Sequence, residues 1–284
     1  MRWAPVPGRS WQAGPVTRTT PPRPLDVERV FPEVAPFRRG TVRLHPRAGA
    51  PTVWDSSVGG PLLWPEGEPW PTCAEHADVL VPVLQVFRAD TWGALDFPPG
   101  ATLLQLLWCQ SDDHADGWVL PLVVWRDASV VRVPLTAPPK PESLQHNLIP
   151  RPCVVHPELV VEYPSAELPV DARDDERIDR VAAETGWDYD ADLSVAPGTK
   201  LLGYPFWSQE PDWPTCTGCA TPMRMLLTVA SYEADPESRS WTPLEDFGSP
   251  IADPGLEIGD LGAVHVFECP SCPDRPNAHR QDCG

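Results

Sequence analysis

Positive charge is scarce in this chain. Its 22 lysines and arginines face 40 aspartates and glutamates, a formal net charge of −18. A body this acidic repels phosphate backbones, so nucleic acid is not the expected partner; a basic protein is. The imbalance is uneven. Residues 1–50 hold nine arginines against three acids, net +6, whereas residues 51–284 come to −24. Long apolar runs are missing too. None reaches the ~18 residues that a membrane helix requires, and the first fifty residues have no apolar stretch of the secretory kind. The expectation is a cytoplasmic protein without a membrane partner, its eight cysteines reduced or metal-bound. The short catalytic signatures are absent as well: no G-x-S-x-G elbow, phosphate loop, dinucleotide fingerprint or H-E-x-x-H. No catalytic residue is assigned, and His114, His265 and His279 are read singly as structural or surface histidines rather than bases.

Proline, by contrast, is abundant, with 39 in 284 residues where ordinary usage is ~5%. That disfavours long helices and favours short strands, turns and irregular loops. Thirteen tryptophans require a substantial core or a large contact surface to bury them.

The densest chemical signal is a pair of Cys-x2-Cys motifs about fifty residues apart, Cys216/Cys219 and Cys269/Cys272. Two residues between thiolates let one tight turn aim both sulfurs at a single ion, and two such turns complete a zinc tetrahedron. Two disulfides or a redox pair are the competing readings. A redox pair needs a helix start in a βαβ unit, and Met223 to Val229 after Cys219 alternates like a strand. Four thiolates leave no open position, so this zinc is structural rather than catalytic.

This stretch has an echo. Trp70-Pro71-Thr72-Cys73 recurs as Trp213-Pro214-Thr215-Cys216, an offset of 143 residues. At the same offset Gly60, Trp64, Ala77, Leu84 and Val86 meet Gly203, Trp207, Ala220, Leu227 and Val229, nine identities without a gap. The chain reads as an internal duplication. His76 falls on Cys219, so the first copy carries Cys-x2-His. Its second ligand pair is expected where a later strand, Leu103 to Trp108, runs into Cys109, with His114 beyond it. Cys73, His76, Cys109 and His114 form a donor set that zinc accepts, with Asp112, Asp113 and Asp116 placed to orient the histidines. The bland reading makes the two cysteines small core residues and the histidines surface ones. Cys153 and His156 form a rival Cys-x2-His pair, and Cys283 is left spare. One zinc ion follows from the second half, two if the first half is a true copy.

The text along the chain supports two halves. Residues 1–24 are proline- and arginine-rich without periodicity and read as a disordered extension. The first half spans 25–133 and the second 153–284. Between them, residues 134–152 hold six prolines and read as a linker. Expected strands are Thr41–His45, Val79–Phe87 (at an edge or bulged, because of Pro82), and Leu103–Trp108. Trp118–Trp125 and Val130–Val133 read as a hairpin around Arg126–Ser129. One helix is clear, Asp171–Glu184, with Gly186 past its end. Asp188, Asp190 and Asp192 after it read as a solvated acidic face rather than a cation site.

Three pieces together resemble the YwqG-like family, a bacterial domain of unknown function. They are Ser57-Val58-Gly59-Gly60-Pro61, the Trp-Pro-x-Cys of both halves, and Gly203-x-Pro205-x-Trp207-x-Gln209 leading into Cys-x2-Cys-x3-Met. Gly259, Asp260, Gly262 and Cys269 close the pattern, which covers about residues 30–283. The resemblance implies a sheet-rich α+β fold with internal duplication and carries no established activity; the strands running into the cysteine pairs place the zinc knuckles at strand ends. Members occur near secreted-toxin systems, which implies an immunity or binding role. The second half also resembles the programmed-cell-death-2 family of ribosomal-protein chaperones, although the chain lacks that family's other zinc-finger region. The expectation is therefore a zinc-stabilised protein-binding protein. The alternative is a zinc- or thiol-dependent hydrolase or redox enzyme whose site the sequence conceals.

Overall fold

Twelve strands organise the described residues of the computed structural model, which are 17–111, 114, 117, 119–141, 145–234, 239–251 and 253–283. In chain order they are β1 (Arg39–Arg43), β2 (Arg47–Ala48), β3 (Ser57–Val58), β4 (Val81–Phe87), β5 (Leu103–Cys109), β6 (Leu120–Arg126), β7 (Cys153–Val154), β8 (Glu158–Glu162), β9 (Lys200–Leu202), β10 (Arg224–Ala230), β11 (Ala263–Glu268) and β12 (Asn277–Asp282). They form two six-stranded antiparallel sheets, ordered β2-β7-β3-β4-β5-β6 and β8-β1-β9-β10-β11-β12. With few helices beside them, the protein is a sheet-rich α+β fold.

Alternation along the central strands sets the layers, because successive side chains leave opposite faces of a strand. Leu104, Leu106 and Trp108 of β5 share one core cluster with Val264 and Val266 of β11, so a single apolar core joins both sheets. The opposite faces carry separate clusters. Leu107 and Cys109 pack with Trp64 and Cys73 in the first sheet. Phe267 and Cys269 pack with Met223, Met225 and Cys216 in the second. Met223 and Met225 are thus core residues.

The two sheets correspond in register. Ser57 pairs with Gln85 and Val58 with Leu84; Lys200 pairs with Thr228 and Leu201 with Leu227. Each pair maps onto the other at the offset of 143. Pro82 lies opposite Leu107 and Leu84 opposite Leu106, leaving Val83 as a bulge. Met225 lies opposite Phe267 and Leu227 opposite Val266, with the bulge at Leu226. The bulge is what lets Pro82, which has no N–H to donate, sit in a central strand.

The halves exchange a strand. β1, early in the chain, pairs with β9 of the second sheet, whereas β7, from after the proline-rich segment, pairs with β3 of the first. Segments 39–48 and 153–162 each therefore run from one sheet to the other, and neither sheet is built from one contiguous half.

Other local readings are revised. Residues 17–24 lie against the body: Thr20 donates to Glu158, Arg23 donates to the Val161 carbonyl, and Arg18 pairs with Asp246. Residues 1–16 of that expected extension lie outside the described residues. No hairpin follows Arg126. Asp127 accepts the Ser129 N–H and caps a short 3-10 turn over Ala128–Val130, which diverts the chain and leaves β6 at the sheet edge; Trp118 lies outside the described residues. The helix expected at Asp171–Glu184 is α2, Asp175–Thr185, following the single turn α1, Val27–Val30. Asp174 caps α2 through the Arg177 N–H, and Gly186 ends it with φ 73°. The acidic trio beyond is not a solvated face. Asp188 caps a π-helical turn, Asp190 pairs with Arg173, and Asp192 is buried, with the Asp188 N–H donating to it.

One buried ion pair ties the second sheet together. Lys200 Nζ lies 2.6 Å from Glu162 Oε1, both side chains almost wholly buried. Removing one partner of such a pair costs ~3–5 kcal/mol, because the other charge is left in a dry interior. Gly203, with φ 77°, is required here, since a Cβ would collide with the Glu162 carboxylate.

Candidate metal centres

Each sheet ends in a four-ligand cluster. In the second, the backbone of the first knuckle is closed by the Cys216 N–H donating to Thr221 O (2.9 Å), Ala220 N–H to Cys216 O (2.8 Å) and Met223 N–H to Pro214 O (3.0 Å). The first copy repeats each bond at the same offset: Cys73 N–H to Asp78 O (2.7 Å), Ala77 N–H to Cys73 O (2.9 Å) and Leu80 N–H to Pro71 O (3.0 Å). Ala77 and Ala220 both adopt φ 57°. The left-handed region costs an alanine of order 1 kcal/mol, so a shared outlier marks a shared turn that the closing bonds hold in place.

The sulfurs of Cys216, Cys219, Cys269 and Cys272 converge. Cys216 Sγ lies 3.9 Å from Cys272 Sγ, and Cys219 Sγ lies 3.5 Å from Cys269 Sγ. In the first sheet Cys73, His76, Cys109 and His114 converge likewise. Cys73 Sγ lies 3.7 Å from His76 Nδ1 and 3.5 Å from His114 Nε2, and Cys109 Sγ lies 3.6 Å from His76 Nδ1. Within each set all ligand atoms lie within 4.8 Å of one another. A tetrahedron with bonds of ~2.0–2.3 Å separates its ligands by about 3.3–3.8 Å, so both sets can hold a metal ion. All cysteines are free thiols rather than disulfides.

The surroundings suit thiolates. The Ser271 and Cys272 amides each point at Cys269 Sγ at 3.4 Å, and the Glu75 amide points at Cys73 Sγ at the same distance. His114 Nδ1 lies 2.8 Å from the Ser111 carbonyl. That contact fixes the proton on Nδ1 and leaves the Nε2 lone pair facing Cys73, the usual support for a metal-bound imidazole. Asp112, Asp113 and Asp116, expected in that role, lie outside the described residues.

The clusters differ in burial and charge. Cys73, Cys109 and His114 are buried, whereas Cys219 is exposed and Cys272 half-buried. Burial pushes the Cys109 thiol up to about 11. Hydrogen bonds from the Thr221 hydroxyl and backbone draw the exposed Cys219 down to about 6.

Cys109 and Ser111 correspond to Cys269 and Ser271, because β5 and β11 align at an offset of 160 through their pairing with β4 and β10. Position 112 would then match Cys272, and the fourth ligand is instead His114, two residues further on. Cys153 is buried in β7 away from both clusters, and neither His156, His279 nor Cys283 joins them. No family model matches the chain, and a search of the curated proteins finds no relative.

Proposed function

We propose that this is a zinc-stabilised, YwqG-like binding protein of the cytoplasm, without catalysis of its own, whose acidic body receives a basic protein. The observation that carries the zinc reading is the pair of closed clusters at equivalent strand ends, each with four side-chain ligands. Zinc suits both donor sets because it accepts any mixture of thiolate and imidazole in a tetrahedron and brings no redox chemistry. Four protein ligands leave no site for an activated water, which favours a structural over a catalytic role. The excess of 40 acids over 22 bases and the exposed Trp54 and Trp92 favour a basic partner. An immunity-like or chaperone-like role accords with this surface. Among the described residues no helix is long and apolar enough to cross a membrane.

The test is to purify the chain from its native host with whatever it binds. A basic protein held at low salt and released at high salt supports the reading. Hydrolase or redox activity of the purified chain would instead establish the zinc- or thiol-enzyme alternative.

A further inference from the structure

The outer face of the second sheet holds a cavity of about 220 Å³, lined by Lys200, Thr228, Ala230, Ala263, His265 and Asp282, with Asp260 and Leu261 beside them. The duplication shows what the fold places there when it fills the space. Ala230 lies opposite Ala263, and Ala263 opposite Asp282. The first sheet has Phe87 opposite Leu103, and Leu103 opposite Arg126, at the same register. One row further, Gln85 and Gln105 stand where the second sheet has Thr228 and His265. Two large apolar side chains and an arginine have become two alanines and an aspartate.

Arg126 shows which group belongs in that space. Its Nε donates to Gln105 Oε1 at 3.2 Å, and its two terminal nitrogens grip Glu68 at 2.7 and 2.8 Å. The guanidinium lies 4.5 Å from the centroid of the Trp64 ring. In the second half Trp207 keeps the tryptophan, Pro211 replaces Glu68, and the carboxylates come from Asp282, whose Oδ2 also accepts the Ser208 N–H, and from the exposed Asp260. The Lys200 charge in the wall is already neutralised, its Nζ bound to Glu162 Oε1 and to the Ala196 carbonyl at 2.7 Å. His265 is fully buried with Nδ1 2.9 Å from Thr228 Oγ1, and its Nε2 lacks a hydrogen bond of good geometry.

We infer that this cavity is a binding site for a guanidinium or ammonium group carried on a short apolar stem. The cation pairs with Asp282 and Asp260, and its stem lies against Ala230, Ala263 and Phe206. An arginine delivered from outside would restore the arrangement that Arg126 completes internally in the first half. The site gives the basic-partner reading a specific point of attachment, and it exists equally for a free small cation.

The experiment uses the full zinc-loaded chain with methyl-labelled alanine, titrated with butylguanidinium and, in parallel, with neutral butylurea. The expected result is saturable shifts of the Ala230 and Ala263 methyls with butylguanidinium and at least about ten-fold weaker binding of butylurea, roughly the loss of one charged hydrogen-bonding pair. Asp282→Asn, which preserves side-chain size, should weaken binding about ten-fold. Ala263→Leu, which restores the first-half residue, should abolish it while two zinc ions remain. No saturable shift, equal binding of the two probes, or undiminished binding in both variants would overturn the site. An arginine-containing peptide forms the last arm. Shifts with peptide and butylguanidinium together support attachment of a basic protein. Shifts with butylguanidinium alone keep the cavity as a small-cation site and count against the basic-partner reading.

Discussion

The two candidate metal clusters share one arm and differ in the other. In the first arm, Cys73/His76 and Cys216/Cys219, every closing backbone bond and the left-handed alanine recur. The turn geometry is therefore independent of whether the second ligand is sulfur or imidazole. In the second arm, Cys269 and Cys272 have two residues between them, whereas Cys109 and His114 have four. The longer imidazole reaches from a wider loop, steadied by the Ser111 carbonyl. Charge rationalises the outcome. Zinc with four thiolates carries −2, and with two thiolates and two imidazoles it is neutral. Burying net charge is costly, and the second arm follows this: Cys109 and His114 of the neutral set are both buried, whereas Cys272 of the dianionic set is half-buried, the first-arm residues His76 and Cys219 being accessible in both sets.

This comparison can be broken by mutation. Cys269→Ser removes a ligand from the second set. Structural zinc is worth ~10–16 kcal/mol, more than the ~5–15 kcal/mol that holds most domains folded. Because one core and two exchanged strands join the sheets, the loss should unfold the whole chain rather than one half, seen as loss of the cooperative melt by circular dichroism. A wild-type melt would remove zinc from the account of stability.

The next largest effect separates ligand chemistry from turn geometry. His76→Ala should lose one zinc ion per chain and lower the melting temperature. His76→Cys reproduces the second-half knuckle at an identical turn and should keep both ions. If both variants retain two ions, His76 is not a ligand.

Alkylation of the zinc-loaded chain sharpens the contrast further. At neutral pH, iodoacetamide should modify Cys219 first, since it is exposed. Cys109, which is buried, should react last. Mass spectrometry of timed digests reads the order, and early modification of Cys109 would contradict the assigned environments.

The smallest effect lies at the paired row of Gln105 and His265. Burial lowers the His265 imidazole from 6.5 to about 3, so the folded state binds fewer protons than the unfolded state in that window. Its contribution is present above pH 6.5 and is lost as pH falls toward 3, by up to about 1.4 kcal/mol per pH unit. His265→Gln, the first-half residue, should flatten the decline of stability between pH 6.5 and 5 in denaturant titrations. An unchanged slope would mean that His265 titrates normally.

Much of the second cluster was legible in sequence because Cys-x2-Cys is a local constraint, complete within one turn. The correspondence of the two sheets was legible because the nine identities include the knuckle turn and strand-core positions such as Cys73, Ala77, Leu84 and Val86. The strand exchange was not, since β2, β3 and β7 are two residues each and such segments carry no periodicity. The absent hairpin after Arg126 was misread for a related reason: Val130–Val133 has strand composition, but the Asp127 cap turns the chain away. The second-sheet cavity was invisible because Ala230 and Ala263 are unremarkable until pairing sets them against Phe87 and Leu103.

Zinc K-edge absorption on the intact protein, combined with elemental analysis, tests the paired-cluster account most directly. The account predicts two zinc ions per chain with an average environment of three sulfurs and one nitrogen, at ~2.3 Å and ~2.0–2.1 Å. One ion per chain surrounded by sulfur alone would contradict it, leaving Cys73, His76, Cys109 and His114 as neighbours that share no metal.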